Sequence, residues 1–93
     1  MLEPQRVLKV APLPVAPPSV SLSRRQRQVL ARVAAGRTNA EIAGELAISP
    51  RTVRMHCDAL KMRLGVPKRR LIPAAYRAIT GEDPFRQDEL ERR

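Results

Sequence analysis

Residues 38–65 read TNAEIAGELAISPRTVRMHCDALKMRLG, and this stretch decides the fold because two helix starts stand only eleven residues apart within it. Thr38 followed by Glu41 is a capping box, in which the hydroxyl accepts from the third backbone amide and the carboxylate accepts from the cap's own amide. It predicts a short helix from Asn39 to Leu46 with Ile42, Ala43 and Leu46 facing inward. Eight residues cannot hold a helix in water by propensity alone, so this one must lie against its neighbours. After Ala47, Ile48 and Ser49 the chain turns into a second helix. Ser49 is its N-cap, and Pro50 takes the first helical position, where a missing amide costs nothing. This helix runs to Leu64 before Gly65. Val53, Cys57, Leu60 and Leu64 step by four, three and four, a single apolar stripe. Arg51, Arg54, Met55, Asp58, Lys61 and Met62 remain outside the stripe, and three cations with two methionines suit a face that meets a partner.

On the N-terminal side, Ser23 and Gln26 form another capping box with Leu22 as a hydrophobic staple. They open a helix over Arg24 to Ala35. Val29, Leu30, Val33 and Ala34 make its inner face, arginines 24, 25, 27 and 32 take outer positions, and Gly36 is the stop. On the C-terminal side, Lys68, Arg69 and Arg70 lead into a helix that includes Leu71 to Thr80 and ends at Gly81. Pro73 is tolerated only in a first turn, which puts the helix start between Arg69 and Ile72. Asp83 and Pro84 have the chemistry of one more weak turn, but the charge pattern beyond Gly81 reads as a fraying acidic tail. The first twenty residues hold five of the nine prolines. Proline removes an amide donor and biases its predecessor away from helix, so an extended or disordered arm is expected there. The chain therefore divides into a Pro-rich arm (1–20), an all-α domain (21–81) and an acidic tail (82–93).

Ninety-three residues allow one small domain. Its only aromatics are Tyr76 and Phe85, so the core must be aliphatic, and a large ligand cavity or aromatic stacking platform is not expected. A single Cys57 makes no internal disulfide, and one Cys with one His makes no four-ligand zinc site; neither metal nor cofactor is called for. The lone thiol fits a reduced, cytoplasmic compartment. No stretch resembles a spanning helix or a signal peptide, so no membrane partner is expected.

The formal charge is +9, and residues 21–81 carry 13 Lys or Arg against Glu41, Glu45 and Asp58. The excess therefore sits on the helical domain. Arginines outnumber lysines 15 to 3, and guanidinium suits bidentate recognition of phosphate or guanine.

A short helix, a three-residue turn and a longer helix with a basic outer face is the layout of a helix-turn-helix reader. An α-helix fits the major groove of duplex DNA, and its N-terminus, here Arg51 and Thr52, presents free amides to phosphate. The residues themselves resemble a family. Leu22-Ser23, Gln28-Val29-Leu30, Gly36-Arg37-Thr38-Asn39-Ala40-Glu41-Ile42-Ala43, Leu46, Ile48-Ser49, Thr52-Val53-Arg54-Met55-His56 and Leu64-Gly65-Val66 are similar to the LuxR-type (GerE-type) DNA-binding domain over about residues 22 to 80.

That resemblance implies a four-helix domain whose second and third helices read double-stranded DNA, with the third in the major groove. It implies that Arg54, Met55 and Asp58 face base edges, and that Thr38, Asn39, Thr52 and His56 lie near phosphates, joined by the outer-face cations Arg51 and Lys61. His56 sits at the edge of the apolar stripe, where a packed, a solvated and a phosphate-donating role all remain open. The fourth helix mediates dimerisation in relatives, which marks Leu71, Ala75 and Ile79 as a possible homodimer face. Three positions depart from the pattern. Gln26 replaces the usual Glu, Asp58 brings an acid to the reading face, and Pro73 enters the dimer helix. No receiver or ligand-sensing domain precedes the reader in these 93 residues, so the expected role is a stand-alone bacterial transcriptional regulator, cytoplasmic and nucleoid-associated when bound. The alternative is a small adaptor that binds RNA polymerase or another regulator through the same helices, with Met55, Met62 and the arm as contacts. An enzyme fits poorly. His56 and Cys57 diverge by about 100° as helix neighbours and cannot act as nucleophile and base, and no Gly-rich phosphate loop follows a strand.

Overall fold

The computed structural model describes residues 20–87. The expectations for the arm, Val20 apart, and for the last six residues lie outside them. Four α-helices follow one another: α1 (Arg24–Ala34), α2 (Asn39–Leu46), α3 (Pro50–Leu64) and α4 (Ile72–Thr80). Two 3-10 turns complete the described residues, one before α4 (Arg69–Leu71) and one after it (Pro84–Arg86).

The first three helices begin where the sequence supplies a cap, whereas α4 starts after Leu71 with no side-chain cap. Ser23 Oγ accepts from the Gln26 amide at 3.1 Å while Gln26 Oε1 accepts from the Ser23 amide at 3.0 Å. Thr38 and Glu41 repeat this reciprocal pair at 3.1 and 2.8 Å. Ser49 Oγ accepts from the Thr52 amide at 3.1 Å. Glycines close α3 and α4 in left-handed geometry, at φ 70° for Gly65 and 76° for Gly81. The exit from α2 is different. Ala47 adopts φ 58° without being glycine, so the turn into α3 carries a conformation that an L side chain disfavours and the packing around it must hold.

The core is aliphatic apart from one tyrosine. Val29, Leu30 and Val33 of α1 meet Ile42 and Ala43 of α2, the whole stripe Val53, Cys57, Leu60 and Leu64 of α3, and Ile72 and Tyr76 of α4. Central α1 packs on α3, on α4 and on the C-terminal turn, while α2 lies against α3. Leu22 is buried as the staple requires, and Val20 packs beside it. Arg63 of α3 donates its guanidinium to the Ser21 carbonyl, which ties the segment before α1 to α3. Burial pushes the Cys57 thiol up, which keeps it an uncharged core side chain.

Two expectations are corrected. Arg32 does not stand outside: its side chain is only 15% exposed, folded over the helix end to pair with Glu45 at 2.8 Å, and Glu45 also takes Arg37 at 3.0 Å. One carboxylate of α2 thus neutralises two arginines and locks α2 to the end of α1. The second correction is at residue 82, where no tail begins. Asp83 Oδ1 accepts from the Phe85 amide, Pro84 is buried and Gln87 is 1% exposed against the domain. The physical reason is Tyr76. Its hydroxyl lies inside the fold and needs partners, which Glu82 Oε1 at 2.8 Å and Gln87 Oε1 at 3.0 Å supply. Gln87 Nε2 in turn donates to the Asp83 carbonyl at 3.1 Å. Burial first, and then the Glu82 carboxylate, push the Tyr76 phenol up to about 12.

Candidate nucleic-acid interface

The caps that start α2 and α3 place both helix N-termini at one side of the domain, and α3 turns its apolar stripe away from it. What remains on that side is an open groove of about 680 Å³ lined by Asn39, Pro50, Arg51, Arg54, Met55 and Asp58. Five of these were singled out from the sequence, and the fold brings them together: all three proposed base readers, one proposed phosphate ligand from α3 and one from α2. Arg51, Arg54 and Asp58 are exposed, and Met55 is 62% exposed, an unusual position for an apolar side chain. Arg51 and Arg54 have no partner among the described residues.

Asp58 is the negative group of this groove. Lys61 Nζ lies 3.3 Å from its Oδ1, one helical turn on, and partly offsets its charge. Such a pair leaves the second carboxylate oxygen as an acceptor and turns the Lys61 ammonium toward Asp58. Lys61 itself does not line the groove.

The other candidate positions are set differently. Thr38 and Thr52 are occupied as a cap and as a cap partner, Thr52 Oγ1 lying 2.9 Å from Ser49 Oγ. Their backbone ends face the α2 and α3 N-termini. Hydrogen bonding from the Thr38 amide holds the Glu41 carboxyl below the usual carboxylate range, so the α2 cap is charged at neutral pH. His56 is half-buried and outside the groove. Desolvation, reinforced by Arg25 of α1, lowers its pKa and keeps the ring neutral at pH 7. Of the possible dimer positions, Ala75 and Ile79 pack partly into the core, and Leu71, 39% exposed, sits in the 3-10 turn before α4. The freely exposed residues of α4 include Ala74, Arg77 and Ala78.

Sequence reasoning assigned no role to Arg69. Its guanidinium spans from the turn before α4 to the start of α2, donating to Asn39 Oδ1 and, at 2.6 Å, to the Arg37 carbonyl. With its oxygen taken, the Asn39 amide keeps its N–H pair as its free hydrogen-bonding capacity. The run Lys68-Arg69-Arg70 carried the only signal of this contact, and a run of charge does not say which member folds inward. Among the described residues, no group of three or more His, Cys, Asp or Glu could hold a metal ion, and no helix is long and apolar enough to cross a membrane.

The sequence has counterparts in known proteins. The family described as bacterial regulatory proteins, luxR family, matches residues 20–72. The chain is 46% identical over 65 residues to the probable transcriptional regulatory protein NarL of Mycobacterium tuberculosis, covering 70% of this chain and 26% of the relative. It is 36% identical over 67 residues to the regulatory protein SdiA of Escherichia coli, covering 72% and 28%. It is also 47% identical over 45 residues to the transcriptional regulatory protein UhpA of Escherichia coli, covering 48% and 23%. The chain thus spans about a quarter of the length of the curated relatives it matches.

Proposed function

The chain belongs to the luxR family of bacterial regulatory proteins, and from that premise we propose that it binds double-stranded DNA with α3 in the major groove and regulates transcription at the bacterial nucleoid. The observation that carries this reading is the groove on the outer face of α3, where Arg51 and Arg54 stand exposed, with no partner among the described residues, beside Met55 and Asp58. Unpaired guanidinium groups on a helix that fits the major groove match a surface of phosphates and base edges. Arg54 has the geometry for the O6 and N7 acceptors of guanine, Asp58 accepts from the exocyclic amine of cytosine, and Met55 offers apolar contact to a thymine methyl. Arg51, Thr52, Thr38 and Asn39 serve the phosphates at the two helix N-termini, and Lys61 contributes through Asp58. His56, neutral and half-buried, adds at most one uncharged donor. A homodimer through α4 would use Leu71 with the exposed Ala74 and Ala78 and the outer parts of the partly buried Ala75 and Ile79. Such a dimer reads an inverted repeat with half-sites about one helical turn apart.

Selection from random duplexes near physiological salt tests this. Enrichment of a motif supports base reading, a symmetric motif supports the dimer, and a single half-site supports a monomer. With about six phosphates neutralised, affinity falls about 10³-fold between 50 and 200 mM salt. Salt-sensitive binding with no enriched sequence would reject the roles of Arg54, Met55 and Asp58. A second reading rests on Met62, which is 83% exposed outside the groove: an adaptor that docks on RNA polymerase or another regulator. Binding to purified RNA polymerase with no duplex shift at 50 mM salt would favour it.

A further inference from the structure

Beside the reading groove lies a second one, of about 600 Å³, formed where the end of α1 meets the turn before α4. Val33, Ala34 and Pro73 contribute its apolar wall, and Arg37, Lys68 and Arg70 are its exposed cations. None of its lining residues is acidic. Glu45 neutralises Arg37 in part, but Lys68 and Arg70 have no partner among the described residues. The two grooves are joined by one side chain. Arg69 lines the second groove and holds Asn39, which lines the first, so the hydrogen-bonded pair Asn39 and Arg69 bridges the cations Arg51 and Arg54 of the one to Lys68 and Arg70 of the other.

We infer that Lys68 and Arg70 form a second phosphate-binding surface, one that holds the DNA backbone flanking the segment read by α3. The inference rests on the DNA-binding reading and extends it to a part of the chain that reading does not use. The chemistry favours backbone over bases. The two cations lie on a turn and not on a helix that could enter a groove, and ammonium and guanidinium on a turn neutralise phosphates without regard to sequence. Continuity with the α3 face favours DNA over an acidic peptide, since one duplex laid along Arg54 and Arg51 extends past Asn39 to this turn. Arg69 is the positioning residue of the arrangement. By occupying Asn39 Oδ1 and the Arg37 carbonyl it fixes both grooves against the start of α2.

The experiment measures the affinity of the full chain for the duplex it selects and for a scrambled duplex between 50 and 200 mM salt. It compares wild type with the double substitution Lys68→Ala and Arg70→Ala, and with Arg77→Ala as a control for net charge. Removing two phosphate contacts lowers the salt slope by about 2 and weakens binding roughly tenfold, by the same factor on both duplexes. The melting temperature stays at the wild-type value, since neither side chain has a partner among the described residues, and Arg77→Ala keeps the wild-type slope. A wild-type salt slope in the double variant would overturn the inference and assign the turn to another partner. A loss confined to the selected duplex would overturn it too, by making these residues base readers. If wild type itself shifts no duplex at 50 mM salt, the DNA reading fails and takes the inference with it, an outcome separable from the others because it needs no variant.

Discussion

Arg51 and Arg54 on α3 stand exposed with no partner among the described residues, whereas around the end of α4 polar groups close on one another: Arg77 meets Asp83 at 3.5 Å, the Tyr76 hydroxyl is shared by Glu82 and Gln87, and Thr80 Oγ1 donates to the Tyr76 carbonyl at 2.8 Å. Both regions are built from short helices of the same domain and both carry arginine. The difference is where the complement of each charge lies. At the C-terminal clasp it lies in the chain, so these contacts stabilise the fold. At the α3 face no described residue answers Arg51 and Arg54, so those two side chains add little to stability. Surface charge near a functional site is therefore best judged by whether the fold has already answered it.

The comparison breaks most visibly at Tyr76. Its replacement by Ala leaves a cavity and an unpartnered Gln87, and by analogy with other buried aromatics costs about 3–5 kcal/mol, a fall in Tm of more than about 10 °C. The enriched DNA motif stays that of wild type at temperatures where the variant is folded; a changed motif would mean that the clasp reaches the reading face. A related effect appears in alkali. The Tyr76 phenol is raised from its ordinary value of 10.0 to about 12, so the folded state binds more protons than the unfolded one between them. The stability this contributes is present below pH 10 and is lost as pH rises toward 12, by at most about 2–3 kcal/mol. Denaturant midpoints between pH 9 and 11 should fall in wild type and stay flat in Tyr76→Phe.

On the reading face, Arg54→Ala should cost roughly 1–3 kcal/mol of affinity on the selected duplex alone and leave Tm unchanged, as calorimetry and competition binding would record. Equal loss on scrambled DNA would reduce Arg54 to a phosphate contact. Ser49→Ala removes the cap of α3 and should lower stability by about 1 kcal/mol in chemical denaturation, with a binding defect no larger than that of the loosened helix end. The smallest effect is at His56. Its folded pKa lies below the ordinary 6.5, so its contribution to stability is present above pH 6.5 and declines as pH falls through the folded value. That shallow acid slope, followed by thermal melts from pH 7 to 5, should disappear in His56→Gln.

Much of this domain can be read from local residues. Capping boxes at Ser23 and Thr38, the Ser49-Pro50 start and the glycines after α1, α3 and α4 specify helix ends within a few residues, because a cap is satisfied by atoms three positions away. The apolar stripe of α3 is likewise local, and it names the outer face by exclusion: Arg51, Arg54, Met55 and Asp58 follow from helical periodicity alone. Other features were beyond that reach. Arg32 and Arg69 look like their neighbours in sequence, yet one answers Glu45 thirteen residues away and the other spans thirty residues to Asn39. Gln87 is an ordinary polar residue in an acidic run until Tyr76 is buried beneath it. Periodicity and capping act over three or four residues, so the sequence by itself determined the helices and their faces. Which cations were consumed inside the fold, which carboxylates they consumed, and that residues 82–87 pack against the helices depended on contacts between distant segments, and only the tertiary structure decided them.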